Sequence, residues 1–282
     1  MPNFLFLRGM PKPPLGAQVD REHPMALNWN FTLPLNDINN QLADAQGPSL
    51  LFGNWNTVGL TVPDHQGTAS TWVSSTEGPG LRFVTGNNRI AVGGVQALPV
   101  DRATYCLIHR KTDTTNRASS AMGVWTGTET QRGAMHLPWS DGVVYWDWGG
   151  FTSGTSRVAV SGLSFAVAPA APDRYVFRAG PRGMAVFQNG KKVGSHTTAA
   201  ASRTGSGFQF TISAGSSDTS DECDFFFVHV VAEEWSDDLC RWWSAEPYAM
   251  FYQPVQRLYF DFGSILYVPT VTNYLPSGGY AA

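Results

Sequence analysis

The sequence predicts an all-β protein of two stacked antiparallel sheets, with one short helix close to its C-terminal end. Three observations lead there. About a dozen short apolar or alternating runs follow one another between residues 71 and 232, separated by Gly, Asn, Asp and Ser, the pattern of many strands joined by turns. An Asn189-Gly190 pair sits between the alternating runs Ala185 to Gln188 and Lys191 to Val193. Helical spacing of apolar residues is convincing in one place, after Ser236.

Taken in order, residues 1–28 are rich in Pro and Gly, with Pro11, Pro13 and Pro14 close together. Fixed φ angles and missing N–H groups there predict an extended N-terminal arm. Strands are expected near Thr71 to Ser74, Gly80 to Val84, Arg89 to Val92, Ala103 to His109, Ala118 to Trp125 and Gly133 to Leu137. Others fall near Val143 to Trp148, Arg157 to Val160, Arg174 to Arg178, Gly183 to Gln188, Lys191 to His196, Gly207 to Ser213 and Cys223 to Ala232. Asn189-Gly190 predicts a two-residue type I′ hairpin, since that turn needs positive φ at both central positions.

Ser236 is placed to cap the helix, Asp237 and Asp238 suit its positive end, and Leu239, Trp242 and Trp243 form one apolar stripe that ends at Pro247. A last strand is expected over Arg257 to Phe262. Residues 263–282 form an uncharged tail carrying Ile265, Leu266, Tyr267, Val268, Tyr274, Leu275 and Tyr280. The predicted organisation is therefore an arm over 1–28, one sandwich over 29–262, and a tail over 263–282. Such a tail leaves apolar surface wet unless a neighbouring subunit covers it or it packs back on its own sandwich.

With 43% hydrophobic and 13% aromatic residues in 282, the chain has material for one large core, and 15% charged residues leave a weakly charged surface. A formal net charge of -3 with no Lys/Arg cluster argues against nucleic acid as a ligand. Cys106, Cys223 and Cys240 lack metal or disulfide spacing and are expected as buried free thiols. The apolar start, Phe4 to Leu7, is cut by Arg8, too short for a signal peptide, and nothing approaches the ~20 apolar residues of a membrane helix. Synthesis in a cytoplasm, without an export signal or membrane insertion, is the expectation.

Catalytic candidates are few. Glu222 and Asp224 alternate on one predicted strand, as paired carboxylates of a glycosidase do, but Phe226 and Phe227 follow where a further acid would serve. They are expected as solvent-facing strand ends. His23, His65, His109, His136, His196 and His229 show no ligand spacing, and Asp141, Asp147 and Asp221 near turns form no calcium string, so neither metal nor cofactor is expected. Trp125, Trp139, Tyr145, Trp146 and Trp148 concentrate aromatic faces, which stack on sugars. Trp139, Tyr145, Trp146 and Trp148 are the carbohydrate-binding candidates. The alternation of β structure sends Tyr145 and Asp147 one way and Trp146 and Trp148 the other, so one set belongs to the core.

Three stretches resemble the laminin-G/concanavalin-A-like domains of phage and prophage proteins. They are His136-Leu137-Pro138-Trp139-Ser140-Asp141-Gly142 through Tyr145, Asp147 and Gly149; Arg174 to Phe177 with Gly183 to Gly190; and Trp235-Ser236-Asp237-Asp238 through Glu246 to Phe251. Pro13-Pro14-Leu15-Gly16 and Glu22 to Ala26 are similar to the leader of phage-encoded members. The resemblance implies a jelly-roll sandwich on a fold shared by lectins, glycosidases and coat proteins. It leads to the expectation of a non-enzymatic virion protein, a capsid decoration or head-surface subunit, in a homo-oligomer or against coat protein. Phe4, Phe6, Pro13, Pro14, Leu266, Tyr267, Tyr274 and Leu275 are the partner-binding candidates in its arms. The alternatives are a tail or fibre adhesin contacting host surface glycans and, last, a glycoside hydrolase.

Overall fold

A computed structural model describes residues 12–13, 19–33, 35, 52–53, 64–66, 71–84, 89–92, 100–125, 128–204, 209–213 and 222–251. In chain order the strands are β1 (Trp29–Leu33), β2 (Phe52–Gly53), β3 (Asp64–Gln66), β4 (Thr71–Ser75), β5 (Gly78–Arg82), β6 (Arg89–Val92), β7 (Ala103–Lys111) and β8 (Met122–Trp125). They continue with β9 (Gly133–His136), β10 (Val144–Trp148), β11 (Arg157–Val160), β12 (Asp173–Gly180), β13 (Gly183–Gln188), β14 (Lys191–His196), β15 (Gln209–Ile212) and β16 (Cys223–Val231). Helix α1 spans Asp237–Ala245.

The strands form two antiparallel sheets. The first runs β14-β13-β12-β7-β16-β1-β2, with the β4–β5 hairpin joined to β16 through β5; the second runs β11-β10-β9-β8-β15-β6-β3. One core lies between them, where Phe31, Tyr105, Leu107, Phe177, Phe225 and Val228 of the first sheet meet Met122, Met135, Trp146, Trp148 and Phe210 of the second. The opposite face of the first sheet carries a second core, in which Cys106, Ile108, Val176, Phe187, Phe226 and Phe227 lie under Trp235, Cys240, Trp243, Tyr248 and Phe251.

Burial on both faces explains why β7 and β16 are buried at all nine positions and read as near-continuous apolar runs. A bulge between Phe225 and Phe227 changes the phase of β16. Before it, Cys223 and Phe225 face the inter-sheet core; after it, Val228 and Val230 do, while Phe226 and Phe227 both enter the second core. Each fully buried side chain of this kind contributes on the order of 2 kcal/mol of transfer free energy.

The Asn-Gly hairpin forms as expected: Asn189 has φ 50° and Gly190 φ 79°, and Gln188 pairs with Lys191. Ser236 caps α1 by accepting from the Leu239 N–H at 3.2 Å, with Asp237 and Asp238 in the first turn. The buried stripe of α1 differs from the predicted one. Cys240, Trp243 and Ser244 are buried and Leu239 packs partly, while Trp242 is 39% exposed and lies 4.8 Å from the His23 ring. Spacings of three and four from Cys240 select Trp243 and Ser244, and Trp242 lies one step outside that face. All three cysteines are free and buried, as expected.

The described part of the N-terminal segment lies on its own sandwich instead of reaching away. Val19 bridges to Phe251, a 3-10 turn at Pro24–Ala26 buries Met25, and Pro13 is buried, so this partner-binding candidate is corrected to an internal contact. Lys12 beside it donates to the carbonyls of Leu35 and Pro79. His229 fastens the turn from below: its Nε2–H donates to the Met25 carbonyl at 2.9 Å, which leaves Nδ1 to accept from the Thr32 hydroxyl at 2.7 Å. Burial pushes the His229 pKa down to about 4.

Strands β1, β2 and β3 precede the first predicted strand and were not anticipated. The predicted strand over Arg257 to Phe262, the tail over 263–282, and the candidates Phe4, Phe6, Pro14, Leu266, Tyr267, Tyr274 and Leu275 lie outside the described residues. Among the described residues, no helix is long and apolar enough to cross a membrane.

Candidate binding site on the outer rim of the second sheet

Strand β10 settles which aromatic set is core. Val144, Trp146 and Trp148 point between the sheets and are fully buried, and the Trp146 indole N–H donates to the Arg178 carbonyl at 2.8 Å. The carbohydrate-binding candidates Trp146 and Trp148 are therefore corrected to core residues: period-two alternation sends both inward once Val144 does. Tyr145 and Asp147 take the outer face, where Tyr145 pairs across to His136 and Ala159, and Asp147 to Ala134 and Arg157.

The β9–β10 connection brings Trp139 to the same rim. Trp139 N–H donates to the Val143 carbonyl and Gly142 N–H to the Trp139 carbonyl, both at 2.9 Å, with Gly142 at φ 82° where a side chain would be strained. Asp141 locks this turn by accepting from the Val143 N–H at 2.9 Å and from the Tyr145 hydroxyl at 2.7 Å. The bond from the Val143 N–H, with that from Tyr145, holds the Asp141 carboxyl below its ordinary range. Half-buried Trp139 then sits edge-on to the His136 ring, 4.7 Å between centroids.

Under these rings lies a charged group sealed from solvent. Asp147 is fully buried and takes both prongs of Arg157, Nε at 2.6 Å and Nη2 at 2.8 Å, with Arg132 Nε at 3.3 Å and His136 Nε2 at 3.6 Å. Burial pushes the Asp147 carboxyl up, but the Arg157 fork outweighs it and holds the group below the usual carboxylate range. Arg132 Nη2 lies 2.9 Å from His136 Nε2; a guanidinium only donates, so Nε2 accepts and Nδ1–H donates to the Ser119 carbonyl at 2.8 Å. The Arg157 guanidinium lies 4.3 Å from the Tyr145 ring centroid and 5.0 Å from that of Phe151, which also takes Arg132 at 4.6 Å.

Of the sequence candidates, the structure brings Trp139 and Tyr145 together on this rim and removes Trp146 and Trp148 from it. Arg132, His136, Phe151 and Arg157 were missed. The Arg157-Val158-Ala159-Val160 alternation carried a signal, since burying the valines must turn Arg157 outward beside β10. Phe151 sits in a loop and carried none.

Glu222 and Asp224 are not the solvent-facing strand ends expected. Asp224 is fully buried between Arg82, at 2.7 and 2.9 Å, and Arg110, at 2.7 Å, while Glu222 pairs with Arg117 at 2.6 Å. Arg110 also donates to the carbonyls of Ser74, Pro169 and Ala170, so it ties two segments to the outer face of the first sheet. Among the described residues no group of three or more His, Cys, Asp or Glu side chains is placed to hold a metal ion.

No protein-family model matches the chain, and no curated protein sequence matches it. Solved structures do. A Trypanosoma rangeli sialidase in complex with sialic acid matches with TM-score 0.51 at 13% identity, over 79% of this chain and 33% of the sialidase. A structure of botulinum neurotoxin type C, whose cell entry depends on two ganglioside molecules, matches with TM-score 0.50 at 7% identity, over 77% of this chain and 50% of the other. The receptor-binding domain of the botulinum neurotoxin C/D mosaic serotype gives TM-score 0.54 at 9% identity, over 77% and 51%. The chain thus spans about half or less of the length of these neighbours. At such identities the likeness is one of fold alone: a two-sheet antiparallel β-sandwich.

Proposed function

We propose that the chain is a lectin-like recognition module that binds saccharide at the outer rim of the second sheet and performs no chemistry on it. One observation carries the reading. Trp139, Tyr145 and Phe151, each half-buried, frame the Arg157–Asp147 pair on a sheet face whose other side is core. Rings offer apolar faces to the C–H faces of a sugar, and fixed polar groups at their edges hold its hydroxyls. That fold neighbours include a sialidase with sialic acid and a ganglioside-dependent toxin supports it. A glycan array tests it: wild-type protein gives hits that Trp139→Ala and Tyr145→Ala abolish, whereas equal signals from variants and wild type would remove the rim from consideration.

A second reading sets this module on a phage particle as a decoration or adhesin subunit, against coat protein or further copies of itself. It is supported by the sequence resemblance around His136 to Gly149 and by the uncharged apolar sequence over 263–282. Mass spectrometry of purified particles checks it, and absence of the chain from every virion band would dismiss it.

A further inference from the structure

We infer that the rim selects saccharides bearing a carboxylate, with Arg157 as the residue that reads the acid. The inference rests on the rim being a saccharide site and names the class of saccharide. Arg157 spends its Nε and Nη2 on Asp147; among the described residues Nη1 has no hydrogen bond, and it is not sealed from solvent. Stacking between Tyr145 and Phe151 fixes the guanidinium plane, so its outward N–H groups are set before a ligand arrives.

At the contact itself Arg132 and Arg157 both face the carboxylate of Asp147. Among the described residues, the other acids beside the rim, Asp141 and Glu129, are peripheral and exposed. Asp141 is engaged by Val143 N–H and Tyr145 hydroxyl, and Glu129 accepts from the Phe151 N–H at 3.1 Å. Water and salt screen them more than the stacked Arg157. They disfavour a densely charged polymer and leave room for one acid group at the Nη1 edge. A carboxylate offers two acceptors to a guanidinium and forms a stronger charge-assisted contact than a hydroxyl. The sugar ring beside that carboxylate would lie against Tyr145 or Trp139.

Calorimetry with a panel of hexuronate and sialic-acid oligosaccharides, each paired with its neutral methyl ester, tests this on the full-length protein. The expected result is an acid bound about tenfold or more tightly than its ester, with the preference shrinking as salt rises. Arg157→Lys keeps a positive charge beside Asp147 but loses the planar fork, and should shrink the acid-over-ester preference severalfold without reversing it. Esters that bind the wild type as well as their acids would overturn the inference while leaving the rim a saccharide site. Binding of neither class would overturn both. Should Arg157→Lys fail to fold, the acid–ester comparison on wild-type protein decides alone.

Discussion

The two sheets are buried to different depths. The first is covered on both faces, by the inter-sheet core and by the layer of α1 and the 247–251 segment; the second turns β10 and β11 outward at every alternate residue. Charge follows the same division. On the first sheet Asp224 is locked by two arginines, of which Arg110 also binds backbone carbonyls, an arrangement that holds segments together. On the second, Asp147 is as deeply buried, yet its partner Arg157 keeps an edge toward solvent between two rings. The first sheet is scaffold, and the second offers the surface on which recognition can be built.

Neighbouring residues of β10 break or sharpen that contrast most directly. Trp146→Ala should cost about 3–5 kcal/mol in urea unfolding, because it empties the inter-sheet core and leaves the Arg178 carbonyl without its donor. Tyr145→Ala, one residue away on the rim, should cost less than about 1 kcal/mol while removing saccharide binding. Comparable stability losses from the two would mean that the rim is structural.

Acid should act on the scaffold through His229. Its pKa is about 4 in the folded chain against an ordinary 6.5, so between those values the unfolded chain binds the extra proton and stability falls as the pH is lowered. The loss across that window is about 3 kcal/mol, complete near pH 4 and absent above pH 7. His229→Gln should flatten this part of the pH–stability curve, and an unchanged slope would assign it to other groups.

The smallest expected effect is at the cap of α1. Ser236→Ala should lower stability by about 1 kcal/mol, read as a shift of the denaturation midpoint, and should leave saccharide binding at the rim untouched because α1 covers the opposite sheet. A change in binding would mean that the two layers are coupled.

Strand runs, the Asn189-Gly190 turn and the α1 cap were legible in the sequence because each is decided by local chemistry: alternation, positive φ, an orphan N–H. The three first strands were not. β2 and β3 are two and three residues long, and β1 is held by pairing with the distant β16, so little in their own sequence marks them. On the rim, alternation placed Tyr145 opposite in sense to Trp146 but could not say which side was core; the burial of Val158, Val160 and Met135 around them decided that. Asp224 misled for a related reason. A carboxylate on a strand reads as exposed until Arg82 and Arg110, far away in sequence, are brought to it by β5 and β7.

Indole N–H signals of the tryptophans, followed by NMR while an acidic oligosaccharide is added, separate surface from core in one titration. Binding at the rim should move the Trp139 resonance progressively and leave Trp146 and Trp148 in place. A ligand that shifts Trp146 or Trp148 while Trp139 stays still would place recognition elsewhere and contradict the assignment of the second sheet's outer face.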